Sequence, residues 1–249
     1  MNSTKIKILI VVLAVYLILF EFLFPTNGYL PSVSVILLSI SELIKNYNFL
    51  FNLTSTVAAV YITVLANYLI TKILFSVIGW IKSGKFSLGS EILLPITSIF
   101  HYLPFILIAL LFLIWFPDFI LDKYLIAILI LLPQSLSDVF DKNNSDKASY
   151  FYFYKSLGLK DHQVMNKIIF RLIEPEFFQS QLKNHSLIWS VVIVTEFIQR
   201  QEGIGGILFT VFKYQDISLL FTITLLISLL VFIAQKILNL VYNKVYFWK

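Results

Sequence analysis

Residues able to do chemistry are scarce in this chain, and they are scattered. The three histidines, His101, His162 and His185, form no short metal-binding pattern such as H-E-x-x-H. There is no cysteine, which removes disulfides, thiol nucleophiles and thiolate metal ligands. Acids inside the apolar stretches are few and unpaired, so neither a nucleophile with its base nor a working pair of carboxylates is visible. Gly203, Gly205 and Gly206 lack the strand that a phosphate-binding loop would follow, and no P-loop occurs. The sequence points to no catalytic residue, no metal site and no cofactor bound by this chain.

Three polar patterns stand out against that background. Glu196 lies at the end of an apolar run, where an ionisable group is a functional candidate by default. It has two readings, a group lining a path or a group that caps local amides or pairs with Arg200. Gln179, Lys183, Ser186 and Ser190 recur at spacings of 4, 3 and 4. That puts them on one helical face, either lining a watery path or bonding to neighbouring helices. The third pattern is "YKSLGLKDHQVMNKIIF", Tyr154 to Phe170, a glycine followed by a basic amphipathic segment.

The elements that position these residues are membrane helices. The chain has 249 residues, 59% apolar and only 13% charged, whereas a soluble domain carries about 25% charge. Phe105 to Phe116 and Ile217 to Ala234 contain no charge. A bilayer core of about 30 Å takes about 20 apolar residues per helix, and six candidate spans follow: 8–24, 53–80, 91–116, 119–137, 186–199 and 217–240. Pro117 and Asp118 join the third and fourth as a tight hairpin. The first is read as a retained anchor, not a cleaved leader, because no small-x-small cleavage site follows it.

Lysine and arginine counts set the orientation. With the amino terminus inside, fifteen of the nineteen basic residues fall on that side. Both termini are then cytoplasmic, and the net charge of +5 reflects topology, so no nucleic-acid partner is needed. Residues 1–249 read as a single transmembrane domain whose longest loop, 138–185, is cytoplasmic. In that loop Asp138 to Lys147 reads as a solvated turn and Ala148 to Leu157 as a short aromatic helix. Gly158 is expected as its left-handed cap, and Asp161 as the cap of a second helix. Val164, Met165, Ile168, Ile169 and Leu172 form one apolar stripe on that helix, and Pro175 is expected to end it. Such a helix suits the membrane surface or a groove on a soluble partner.

The loop resembles the coupling loop of ABC-importer permeases, in which a short helix, a glycine and a second helix insert into a cleft of the ATPase. "KSLG", Lys155 to Gly158, Ile168, Ile169 and Pro175 match that pattern. Two positions depart from it: Tyr152, Phe153 and Tyr154 replace the usual Glu-Ala-Ala, and Arg171 replaces the first proline. The order of further segments is similar to the nitrate/sulfonate/taurine group. These are "LPSVSVI" (Leu30 to Ile36), "LPFILIALLFLIWFP" (Leu103 to Pro117), Pro133, and "TEFIQRQEGIGGIL" (Thr195 to Leu208), in which Glu196, Phe197, Gly203 and Gly205 align.

The resemblance implies an all-α membrane protein of about six transmembrane helices with the type I importer permease fold, in a bacterial cytoplasmic (inner) membrane. It implies ATPase subunits on the cytoplasmic side that bind the ATP, a second permease copy or paralogue, and an extracytoplasmic solute-binding protein. ATPase-coupling residues would be Tyr152, Phe153, Tyr154, Leu157, Gly158, Val164, Met165, Ile168 and Ile169. Pathway candidates would be Gln179, Lys183, Ser186, Ser190, Glu196, Gly203 and Gly205. A secondary transporter is the rival reading, but such folds are built from repeats with matching broken helices, and no internal similarity of that kind is present.

Because the chain has no native cysteine, single cysteines report topology cleanly. Asn143→Cys and Asn243→Cys are expected to label only from the cytoplasmic side, and Asn27→Cys and Gln201→Cys only from outside. External labelling at residue 143 overturns the orientation.

Overall fold

The computed structural model describes residues 3–24, 30–81, 97, 99, 103–116, 121–141 and 144–248. The Pro117–Asp118 hairpin and the first part of the 91–116 span lie outside them. Among the described residues the chain is helical throughout, with no strand. In order it forms α1 (Ser3–Leu17, continued by a π-helical Ile18–Leu23), α2 (Val33–Asn46), α3 (Phe49–Ile81), α4 (Phe105–Trp115), α5 (Asp122–Asp141) and α6 (Asn144–Ser156). α7 comprises Asp161–Val164, a π-helical segment Met165–Ile169 and Phe170–Lys183; α8 (His185–Gln199), α9 (Ile204–Lys213) and α10 (Ile217–Val245) follow.

Two of these helices, Phe49–Val77 within α3 and Ile217–Val245, are long and apolar enough to cross a membrane. At 1.5 Å per residue, 29 residues reach about 43 Å, beyond the hydrocarbon core. Few of their apolar side chains are buried, and many face outward, among them Leu65, Leu69, Ile73, Leu229, Phe232 and Leu240. The remaining apolar helices are shorter: Ala14–Leu23, Phe105–Trp115, His185–Gln199 and Ile204–Lys213. Six full spans are therefore not what the described residues show. Two helices, α2 and α9, also arise where no span is expected. α2 starts on Ser32, whose hydroxyl accepts the Val35 N–H at 3.5 Å.

The chain divides into two compact units. One comprises residues 1–56 and 196–232. Its core is Leu43, Phe49, Ile204, Ile207, Val211, Leu219 and Ile223, drawn from α2, α9 and the starts of α3 and α10. The other comprises residues 57–195 and 233–249. Its core joins Phe75 of α3, Leu136 and Val139 of α5, and Phe151 of α6 to a row on α7: Val164, Met165, Ile169, Phe170, Ile173 and Phe177. Phe170 sits centrally, its ring 5.6 Å from Phe75 and 6.1 Å from Tyr68.

The loop expectations need four corrections. Most of the stretch 138–147 is helical and not a turn: α5 runs to Asp141 and α6 begins at Asn144, with Lys142 and Asn143 outside the described residues, and the Ser180 hydroxyl donates to Asp138. The cap of α7 is Lys160, whose N–H donates to Gln163 Oε1 at 3.2 Å. Asp161 is the first helical residue and pairs instead with Lys155 at 3.2 Å. Pro175 does not end α7, which continues to Lys183. Finally, the π-helical turn shifts the inward face. A π turn brings residues five apart into line, so Val164 and Met165 are followed inward by Ile169 and Phe170, and Leu172 is left 48% exposed.

This register is testable. Phe170→Ala should destabilise the purified protein by about 3–5 kcal/mol, the range for a buried aromatic. Leu172→Ala should stay within about 0.5 kcal/mol, as for surface changes. Denaturant or thermal unfolding in detergent measures both, and a reversed order would refute the π-shifted packing.

Candidate functional site

The first candidate site is built around Glu196 in the unit of residues 1–56 and 196–232. The carboxylate is fully buried. It accepts the Thr56 hydroxyl at 2.8 Å and the Gly205 N–H at 3.2 Å. The Ile204 N–H donates to the Thr56 oxygen at 2.9 Å, and the Gly203 N–H to Asn52 Oδ1 at 2.8 Å. The amides that open α9 have no partners within their own helix, and Asn52, Thr56 and Glu196 supply them. An anion at a helix start also sits at the favourable end of the helix dipole. Glu196 therefore caps local amides, one of its two expected readings, while the Arg200 guanidinium lies over the Phe209 ring at 4.5 Å.

The glycines fit the same turn. Gly203 has φ +141°, a backbone that side-chain residues rarely adopt, and a Cβ there would overlap the Glu196 carboxylate. A Cβ on Gly206 would overlap the Gln201 carbonyl oxygen. Asn52 and Thr56 escaped sequence reading. Their signal is a spacing of four on α3, which puts two polar groups on one face of an apolar helix.

The second candidate is the α6–α7 loop. Gly158 has φ +84°. Its N–H reaches the Lys155 carbonyl at 3.0 Å, and the Leu159 N–H reaches that of Tyr154 at 3.4 Å. This is the double closure of a Schellman cap, so the left-handed glycine expected there is present. Of the expected coupling residues, Val164, Met165 and Ile169 turn inward and are buried in the chain's own core, with Ile168 and Tyr154 packed against it. Tyr152, Phe153 and Leu157 point out, at 60, 59 and 64% exposure.

The third candidate, the face Gln179, Lys183, Ser186 and Ser190, is exposed along its whole length. α7 and α8 meet with only Asn184 between them. The Asn184 N–H reaches the Ser180 carbonyl at 3.0 Å and the Ile188 N–H reaches the Asn184 carbonyl at 3.1 Å, so Asn184 closes one helix and opens the next. These four residues are exposed, whereas Glu196 is buried. Among the described residues no group of histidines and acids is placed to hold a metal ion.

The family model for the binding-protein-dependent transport system inner membrane component matches residues 76–245. This chain belongs to that family. The match takes in the α6–α7 loop, α8 with Glu196, the glycine turn and all of α10. No curated protein and no solved structure matches the chain. As a member of the family it is a transport permease component of the membrane, and the all-helical fold agrees with that.

The Glu196 knot predicts a graded loss. Glu196→Ala leaves the Gly205 N–H buried without its acceptor, at about 1–3 kcal/mol, while the Thr56 hydroxyl keeps the Asn52 carbonyl at 3.2 Å. Glu196→Gln keeps one acceptor oxygen and should cost less. Thermal unfolding of the purified chain checks the order, and equal stability of Glu196→Ala and wild type would remove the capping role.

Proposed function

We propose that this chain is the permease subunit of an ATP-driven importer, forming part of the translocation path and docking its ATPase through the α6–α7 loop. The observation that carries the docking is the outward trio Tyr152, Phe153 and Leu157. These residues stand on a turn fixed from below: the Schellman cap closes it, and Phe151, Val164, Met165 and Ile169 bolt both flanking helices to one core. Exposed apolar side chains on a rigid base are suited to filling a pocket on a partner. ATP is bound by that partner.

Transport needs no covalent chemistry from this chain. Closure of the ATPase pair moves the loop, and helices attached to it alternate between two packings. The exposed strip Gln179, Lys183, Ser186 and Ser190 is the natural wall of a polar path, completed by a second permease copy or a paralogue. An extracytoplasmic binding protein delivers the solute, which by the likeness to the nitrate/sulfonate/taurine group is a small organic or inorganic anion or a vitamin precursor. Glu196, Gly203 and Gly205 serve as a brace for the start of α9.

The test targets the outward trio, because Met165 is a core residue whose loss would unfold the loop. Burying Phe153 and Leu157 in a partner is worth about 1.5–3 kcal/mol each. Phe153→Asp with Leu157→Asp should strip the ATPase from detergent-purified complex while membrane insertion is retained. With Tyr152 in place of a glutamate, retention of the wild-type complex should depend little on salt. An ATPase that stays bound to the double variant would place the loop on the membrane surface instead.

A further inference from the structure

A second polar assembly lies in the unit of residues 57–195 and 233–249, and neither the loop nor the outward strip uses it. Asn67 of α3, Ser135 of α5 and Gln181 of α7 are all buried. The Asn67 amide donates to Ser135 Oγ at 2.6 Å and to Gln181 Oε1 at 3.2 Å. Gln181 Nε2 donates to the same Ser135 oxygen at 2.7 Å. Both lone pairs of that oxygen are thereby taken, which leaves the Ser135 proton to donate elsewhere.

Above and below Asn67, one helical turn away on the same face, stand Thr63 and Thr71, both fully buried. Elsewhere this chain quiets threonines by a bond to the carbonyl four residues back. Thr195, Thr210, Thr222 and Thr224 do so at 2.8, 3.1, 2.7 and 2.8 Å. Thr63 Oγ1, Thr71 Oγ1 and Asn67 Oδ1 have no hydrogen-bond partner among the described residues. Thr63, Asn67 and Thr71 therefore line one buried face of α3 over about 12 Å, eight residue steps. Ser135 and Gln181 meet it at Asn67, and at least three atoms of this seam are unmet.

We propose that this seam is a binding site for water inside the permease, a short hydrated spur between α3, α5 and α7. Buried polar groups in such numbers are met by ordered water, which typically makes about three hydrogen bonds. None of the five side chains is charged, so the seam offers an anion no counter-charge, and water or a neutral hydroxyl or amide group is what it fits. A hydrated contact also has a mechanical consequence. Polar partners can be exchanged for water as α7 shifts along α3, which a dry interlocked surface resists. The proposal does not depend on which partner the α6–α7 loop docks.

Single-cysteine variants of the full chain in native membranes test it, using a small membrane-impermeant methanethiosulfonate reagent. The thiolate is the reactive form, and a dry apolar site suppresses it. Thr63→Cys, Thr71→Cys and Ser135→Cys should react at least an order of magnitude faster than Val60→Cys, a buried apolar position on the same helix. A thermal midpoint close to that of the wild type in each seam cysteine variant shows that its own fold is intact. Thr63→Val and Thr71→Val give the second arm. In a wet seam they lower the thermal midpoint or leave it unchanged. In a dry seam they raise it, because an unmet hydroxyl has been removed. Seam cysteines as inert as Val60→Cys, or a raised midpoint in both valine variants, overturn the proposal.

Discussion

A bilayer offers no water to a stranded donor or acceptor, so a polar group set among these helices has to be met by the protein or by water held inside it. That constraint explains where the chain spends its few polar side chains. α9 begins inside a core of Leu43, Ile204 and Ile207, and its opening amides would be costly orphans there. Asn52, Thr56 and Glu196 meet them, and Gly203 is a glycine because the carboxylate occupies the space a Cβ would need. The same pressure fixes the α6 end, where the backbone of Gly158 and Leu159 closes the last carbonyls without any side chain. Remove any of these and the helix ends, not the helix bodies, become the weak points.

The sequence made the helical, membrane-embedded class legible because composition and run length report the solvent directly. It also marked Gly158 correctly, since a glycine between an aromatic segment and an amphipathic one has few other uses. The inward face of α7 was only half legible. Periodicity of 3.6 gathers Val164, Met165, Ile168, Ile169 and Leu172 into one stripe, whereas the π turn brings Phe170 inward and leaves Leu172 out. Nothing in the residue types at 165–169 announces a five-residue turn; the tertiary demand for Phe170 against Phe75 and Tyr68 selects it.

Two helices escaped sequence reading for a related reason. α2 and α9 are too short and too mixed to register as spans, yet each packs one face into a core and is stable by tertiary contact. Glu196 was recognisable as unusual but not assignable, because its partners are remote in sequence: Thr56 is 140 residues away. Asn67, Ser135 and Gln181 show the same limit. Each is an unremarkable polar residue in its own helix, and the network exists only once three helices meet.

The placement of the α7 core residues bears on how force could pass through the molecule. A loop that docks a moving partner transmits motion only if it does not deform first. Here the exposed residues Tyr152, Phe153 and Leu157 are few, and the residues beneath them are buried. Bending the loop would open a packed core, which costs far more than translating it whole. Rigidity continues along α7, where Tyr68 donates to Glu174 at 2.6 Å and Gln235 donates to the Leu182 carbonyl at 2.9 Å. Displacement of a docked loop at Leu157 would then be carried along α7 as far as Gln181. The polar contacts of Asn67 and Ser135 with Gln181 are the part of this path that can be remade at low cost. Stiff apolar packing near the loop and exchangeable hydrogen bonds further along α7 are the division of labour that a helix driven from one end requires.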